Sequence, residues 1–295
     1  MKFLCLYHAD CTDGFASAWA VHRALGSNNV KFVACRYQEP FLPLHLGMVL
    51  GRHVLIVDFS FPLVELIGIV QQAKSLIVLD HHRTAADDLA TLPPPGHEAY
   101  EQFVLHGGIQ PRIPAAIFDM QRSGAGITWD FLHGTKRPWI IDAVEDADLY
   151  RFKRLGSREI HAALRIEPQT FEHWDNLYER NKEAEIIAEG AVILKAHDVN
   201  AKAVASSTVR WMTLGGVPTP IANAPHFMAS DVGHMLCDRY QQCAGTYFDA
   251  PNGRNFSLRS TDLFADVSTL AKSYGGGGHR NAAGFKMPIG YEGEQ

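Results

Sequence analysis

Three short apolar runs, each ending in Asp or His, constrain this 295-residue chain more than any other feature. Residues 2–7 run into His8-Ala9-Asp10-Cys11-Thr12-Asp13-Gly14, residues 54–57 end at Asp58, and residues 76–79 end at Asp80-His81-His82. Short, continuous apolar runs of this kind read as strands buried on both faces. Between them, residues 14–25 and 63–73 carry apolar side chains at helical spacing. Further strands are predicted over 30–36 and 115–119, and a helix over 126–132. Strands alternating with helices predict a mostly parallel sheet covered on both faces, an α/β fold. Ligands in such sheets collect beyond the carboxyl ends of the strands, so the Asp and His side chains would converge on one edge.

Residues 93–113, with three prolines and two glycines, read as an irregular insertion. From 158 to 204 the chain is polar and helix-friendly, most clearly over 181–197, and reads as a helical connector. Beyond it come strands over 209–214 and 245–248, a helix over 231–240, and a glycine-rich finish. The expected organisation is therefore a catalytic domain at 1–157, the connector at 158–204, and a smaller α/β domain at 205–295.

The formal charge of −5 argues against coating long nucleic acid, where many Lys/Arg–phosphate contacts supply the affinity. A short nucleotide held in a small site stays compatible with it. No apolar stretch has the length needed to cross a bilayer, and the first eight residues turn polar too soon for a signal peptide. Five scattered cysteines suit a reducing cytoplasm rather than a disulfide framework. A homodimer is compatible with the sequence.

Two divalent metals a few ångströms apart need several carboxylates, one of them bridging, plus imidazoles. His8, Asp10, Asp13, Asp58, His81, Asp146 and Asp148 supply that set. Imidazole mixed with carboxylate suits Mn²⁺ better than Mg²⁺. Such a pair activates a bridging water and clamps both oxygens of an in-line displacement at phosphorus. His53, His97, His173 and His197 read instead as ordinary surface or cap histidines. Ser123, in a strand-to-helix turn rich in glycine, offers a donor to a phosphate or a simple helix cap.

HADCTDGFASA, VDFS, VLDHHRT and EDADLYRF, in that order, resemble the four motifs of the DHH phosphoesterases. SYGGGGHRNAAGF resembles the signature of the C-terminal domain in the DHH–DHHA1 branch, which includes oligoribonucleases of the nanoRNase type. The resemblance implies that His8 and Asp13 are ligands, that Asp58 bridges the metals, and that His81 binds the second ion. His82 would face the scissile phosphate, with Asp80 orienting the histidines or completing the shell. The first motif departs from the family pattern of His, three residues, Asp, one residue, Asp. Here the loop is one residue shorter, and Cys11 stands where the first Asp is expected. Asp10 is the nearest substitute; a Cys11 thiolate is the alternative, and would favour softer metals. The fourth motif offers Asp146 and Asp148 without deciding between them.

Four glycines at 275–278 suit a backbone that must approach a ligand closely. Gly277, Gly278, His279 and Arg280 form the expected substrate-binding loop, with Arg259 as a further member, Arg offering a planar fork for phosphate. The function implied is a Mn²⁺-dependent phosphodiesterase cleaving very short oligonucleotides or linear dinucleotides to mononucleotides, one domain holding metals and the other the substrate's far end. Cyclic dinucleotides and adenosine 3′,5′-bisphosphate are competing substrates. A catalytically silent nucleotide-binding protein is the reading from another class. The chain's length suggests that the extra domain with which RecJ-type enzymes thread long single strands is absent.

Overall fold

The computed structural model describes residues 1–37, 46–95 and 114–294. The expected insertion at 93–113 lies, beyond residue 95, outside the described residues. The chain divides into two compact units, Met1–Ile193 and Leu194–Gln295.

The first unit begins β1 (Phe3–His8), α1 (Thr12–Leu25), β2 (Val30–Cys35), α2 (Leu46–Val49), β3 (His53–Val57), α3 (Leu63–Gln72), β4 (Ser75–Asp80), α4 (Arg83–Asp88) and β5 (Ala115–Phe118). It continues α5 (Gly124–His133), α6 (Trp139–Asp148), α7 (Ser157–Leu164), α8 (Phe171–Glu179) and the start of α9 (Glu183–Ser207). The five strands pair in parallel in the order β2-β1-β3-β4-β5. Alternating side chains bury both faces. Leu4, Leu6, Val54, Ile56, Leu76 and Val78 pack with Leu66, Ile69 and Val70 of α3. On the opposite face Cys5, Leu55, Val57, Ile77 and Leu79 pack with Ala18 and Val21 of α1 and Ile127 and Leu132 of α5. This two-sided burial is why the strand sequences are apolar without alternation.

The expected connector at 158–204 is helical, but its first part belongs to the first unit. Ile160, Ala163 and Leu164 of α7, Trp174 and Leu177 of α8, and Ile186 of α9 share a core with Trp19, Trp129 and Ile140. The contact boundary falls inside α9, at residue 193.

The second unit carries the end of α9, then β6 (Val209–Leu214), β7 (Val217–Asn223), a 3₁₀ turn (His226–Met228), α10 (Ala229–Tyr240), β8 (Ala244–Ala250), β9 (Gly253–Arg259), α11 (Val267–Ser273), β10 (Gly277–His279) and β11 (Ala282–Met287). Its sheet runs β10-β11-β9-β8-β7-β6, antiparallel except where β7 meets β8. Of its six strands, the sequence pattern marks β6 and β8; it does not mark β9, β10 or β11, nor does it mark β7. Pro218 and Pro220 obscure that strand, and both lie in the stretch that pairs with β6 alone, before β8 joins at Ile221. Among the described residues, no helix is long and apolar enough to cross a membrane.

Candidate metal centre

The strand order reverses direction around β1: α1 leads outward to β2, and the chain then returns to place β3 on the other side of β1. The carboxyl ends of β1 and β3 at such a switch point form a ready-made crevice. His8 closes β1, Asp58 follows β3 directly, and Asp80 closes β4 with His81 and His82 behind it. Gly14, in the first turn of α1, lets that helix abut the end of β1: a Cβ there would lie 2.2 Å from the His8 carbonyl oxygen.

Among the groups of donor atoms that result, each with its members within 4.8 Å of one another, are His8, Cys11 and Asp58, then Asp13, His81 and Asp148, and a third of Asp58, Asp80, His81 and His82. Asp58 joins the first two, its Oδ2 lying 3.4 Å from His8 Nδ1 and its Oδ1 3.2 Å from His81 Nε2. His81 Nε2 is also 3.5 Å from Asp148 Oδ2 and 3.8 Å from Asp13 Oδ2. These spacings gather ligands around common centres rather than pairing them off. Both carboxylate oxygens of Asp58, and Oδ2 of Asp13, are buried without a hydrogen-bond donor. Buried carboxylate oxygens are expensive to leave unsatisfied, and a cation is the partner that would satisfy several at once.

Electrostatics point the same way. Burial, then Asp58 and Asp148, push Asp13 well above the usual carboxylate range. Burial and the same carboxylates raise the Cys11 thiol. His81 opposes its burial through Asp148, Asp58 and Asp13, which drive its pKa up to about 11. Asp58 is held low despite burial because His8 and His81 face it. Crowded negative groups with one imidazole forced cationic are what a multivalent ion relieves, so the donor set fits two divalent metals.

Two of the expected ligands are not brought to this cluster. Asp10 sits in left-handed backbone (φ 55°), its side chain 73% exposed and paired with Arg36 at 2.8 Å. Asp146 turns to the other side of α6, where its carboxylate accepts from the backbone amides of Lys153 and Arg154 and from the Ser157 hydroxyl. Residues two apart on a helix point in nearly opposite directions, so Asp148 alone can reach His81.

Asp80 is fully buried, and its Oδ1 accepts from the His81 and His82 amides and from His82 Nδ1 at 2.7 Å. A carboxylate at Nδ1 fixes the tautomer and ring plane of His82. Burial lowers the pKa of His82, but Asp80 outweighs it and the net shift is upward.

Ser123 is a buried N-cap whose Oγ accepts from the Gly126 amide, while the neighbouring Ala125 amide donates to Asp13 Oδ1. The N-terminus of α5 therefore orients the Asp13 carboxylate, a candidate ligand. Gly124 was not singled out from sequence, yet a Cβ there would lie 2.4 Å from that of Asp58. Its only sequence signal is the small-residue run Ser123-Gly124-Ala125-Gly126.

In the second unit, Arg259 donates to Ser257 Oγ, to the Leu258 carbonyl and to Ser230 Oγ. Arg280 lies in the β10–β11 turn and donates to the carbonyls of Asp262 and Phe264. Gly277 and Gly278 pair with Gly284 and Ala283, with His279 opposite Ala282. The close approach seen for this loop is to β11 itself: a Cβ at Gly278 (φ 139°) would meet Ala283 Cα at 2.6 Å.

Of the histidines read as superficial, His53 is buried instead, 2% exposed with Nδ1 2.8 Å from Ser75 Oγ. It opens β3 in the middle of the sheet and ties that strand to β4. His197 pairs with Asp231, and His97 lies outside the described residues.

No family model matches the chain. An uncharacterized protein of Acanthamoeba polyphaga mimivirus is 26% identical over 298 residues, covering 95% of this chain. The chain spans 66% of that relative's length. Among solved structures, an exopolyphosphatase-related protein from Bacteroides fragilis superposes with a TM-score of 0.55 at 11% identity, over 98% of this chain and 87% of that one. The exonuclease RecJ bound to manganese gives 0.52 at 16% identity, over 97% and 86%. RecJ in complex with Mn²⁺ from Thermus thermophilus gives 0.51 at 16%, over 97% and 49%. The α/β architecture expected from sequence is the one found, a five-stranded parallel sheet and a second sheet, and it is the fold shared with these solved structures.

Proposed function

We propose that this chain is a metal-dependent phosphodiesterase that hydrolyses very short oligonucleotides or linear dinucleotides to mononucleotides, using two divalent metals with Mn²⁺ the preferred ion. The observation that carries the reading is the convergence of His8, Asp13, Asp58, His81 and Asp148 on one sheet edge with Asp58 between the two donor groups. The RecJ structures of similar fold hold manganese, which supports Mn²⁺ here. The net charge of −5 supports a small nucleotide over a long strand.

Two bound divalent ions would supply Lewis acidity and a water deprotonated near neutral pH. Asp58 would hold both ions at once, His8 one, and Asp13, His81 and Asp148 the other. His82, with its Nδ1 proton committed to Asp80, presents Nε2 for proton donation at the reacting phosphate. Asp80 keeps that ring from rotating.

The test is a substrate panel with Mn²⁺: linear dinucleotides, cyclic dinucleotides, 5-mers, 24-mers, adenosine 3′,5′-bisphosphate and pyrophosphate. Turnover fastest on linear dinucleotides supports the reading. A preference for 24-mers or pyrophosphate refutes the substrate, and no turnover on any member refutes the enzyme.

A further inference from the structure

We propose that Cys11 binds metal as a thiolate, completing the site formed by His8 and Asp58 and replacing a carboxylate ligand with sulfur. This rests on the metal-dependent reading above and modifies it at one of the two sites, where Mn²⁺ is no longer the preferred ion.

Three observations carry it. Cys11 Sγ, a His8 ring nitrogen and an Asp58 carboxylate oxygen lie within 4.8 Å of one another, which is ligand spacing. Independently, both oxygens of Asp58, itself 1% exposed, and Nδ1 of His8 lack a hydrogen-bond partner, so the group into which the thiol points is built for a cation. Finally, Asp10 is committed elsewhere, turned outward by its left-handed backbone and paired with Arg36. The charges also balance: a Cys11 thiolate with Asp13, Asp58 and Asp148 supplies four negative charges against two divalent ions, with His8 and His81 neutral.

Binding breaks the S–H bond. The sulfur electron pair goes to the metal, and the proton leaves to solvent. A thiolate–imidazole–carboxylate set favours Zn²⁺, Co²⁺ or Fe²⁺ over Mn²⁺ and Mg²⁺. The set of Asp13, Asp58, His81 and Asp148 is three carboxylates and one imidazole and keeps an oxygen-rich preference. The site at His8 would thus take a softer ion than its neighbour.

The experiment titrates the full, metal-depleted chain with Co²⁺ and records its absorption spectrum. Visible d–d bands report metal binding; an intense near-ultraviolet sulfur-to-cobalt charge-transfer band reports thiolate ligation. The expected result is both in the wild type, loss of the charge-transfer band alone in Cys11→Ser, and no change in Asp10→Asn. Cys11→Asp should shift the ratio of Co²⁺ to Mn²⁺ affinity toward Mn²⁺ by about tenfold or more. In the wild type, Co²⁺ or Zn²⁺ should slow alkylation of Cys11 by iodoacetamide about tenfold or more, read by peptide mass spectrometry, which needs no variant to fold. A d–d spectrum without the charge-transfer band, a band that survives in Cys11→Ser, or unprotected Cys11 in the Co²⁺-bound chain overturns the assignment. Absence of any cobalt binding overturns the metal-dependent reading itself.

Discussion

Asp58 is a non-glycine residue in left-handed backbone (φ 52°), a conformation that persists only where the surroundings over-determine it. Its amide donates to the Leu79 carbonyl of β4, and Gly124 presses against its Cβ, so the carboxylate is held between the two donor groups. Asn tolerates left-handed backbone, so Asp58→Asn should fold normally while losing the shared ligand. Removing a mere outer-shell partner costs metal affinity or activity about 10–100-fold, so this change should exceed a hundredfold in turnover. Bound manganese, measured by elemental analysis, should fall by at least one ion per chain. Retention of about a tenth of the activity would mean that Asp58 does not hold both ions. At this scale the sequence singled out His8, Asp58 and His81 because each sits at or just past a strand end, and Asp13 because it opens the helix that follows β1. It did not separate Asp10 from Cys11, because one φ in a tight loop decides which side chain faces inward. Nor did it separate Asp146 from Asp148, where the rotational phase of α6 decides.

At the scale of elements, the centre depends on how closely α5 approaches the end of β3. Gly124→Ala would place a methyl group 2.4 Å from the Asp58 Cβ, with backbone also close, so α5 or Asp58 must shift. Overpacking of this kind costs about 1–3 kcal/mol, and displacement of Ala125 would weaken its hydrogen bond to Asp13. Gly124→Ala should therefore lower both the denaturation midpoint and turnover. Gly134→Ala, at the left-handed C-cap of the same helix with open space around it, should cost about 1 kcal/mol and leave turnover alone. Equal losses of activity in the two variants would break the link from α5 to the site. The β3–β4 tie carries its own pH dependence. Burial, with Lys74 and Lys2 nearby, pushes the His53 pKa down to about 4, against about 6.5 in the unfolded chain. Between those values the unfolded chain takes up a proton that the folded chain refuses. Stability is thus lost as pH falls through that window, by at most about 3 kcal/mol. His53→Gln should flatten this part of the urea midpoint-versus-pH curve, and an unchanged curve would exclude His53 as its source. The buried strands of the parallel sheet were legible because burial on both faces makes them continuously apolar. β7 and β10 were not, because proline and glycine there serve positions that only the assembled sheet defines.

For the whole molecule, every residue of the candidate metal centre, from His8 to Asp148, lies in the first unit, and the second has its own sheet and core. The sequence located the division only approximately, because a polar, helix-forming stretch looks the same whether its buried face belongs to one unit or links two. Trp174 and Leu177 belong to the core of the first unit, and 25-residue α9 carries the chain across the boundary. An ion that binds only the folded state stabilises the part that supplies its ligands, by about 2.7 kcal/mol at a hundredfold excess over its dissociation constant. Thermal unfolding should therefore resolve two transitions, of which Mn²⁺ raises one. Fluorescence can assign it: Trp19, Trp129, Trp139 and Trp174 report the first unit and Trp211 alone the second. Trp211 is 55% exposed, so Trp211→Phe should be tolerated and leave an emission signal from the first unit only. In that variant the fluorescence transition should move up with Mn²⁺ while a second calorimetric transition stays fixed. If both shift together by the same amount, the units unfold as one cooperative body. If the fluorescence transition stays fixed while another moves, the ligands are not those in the first unit, and the metal centre assigned to the ends of β1, β3 and β4 is wrong.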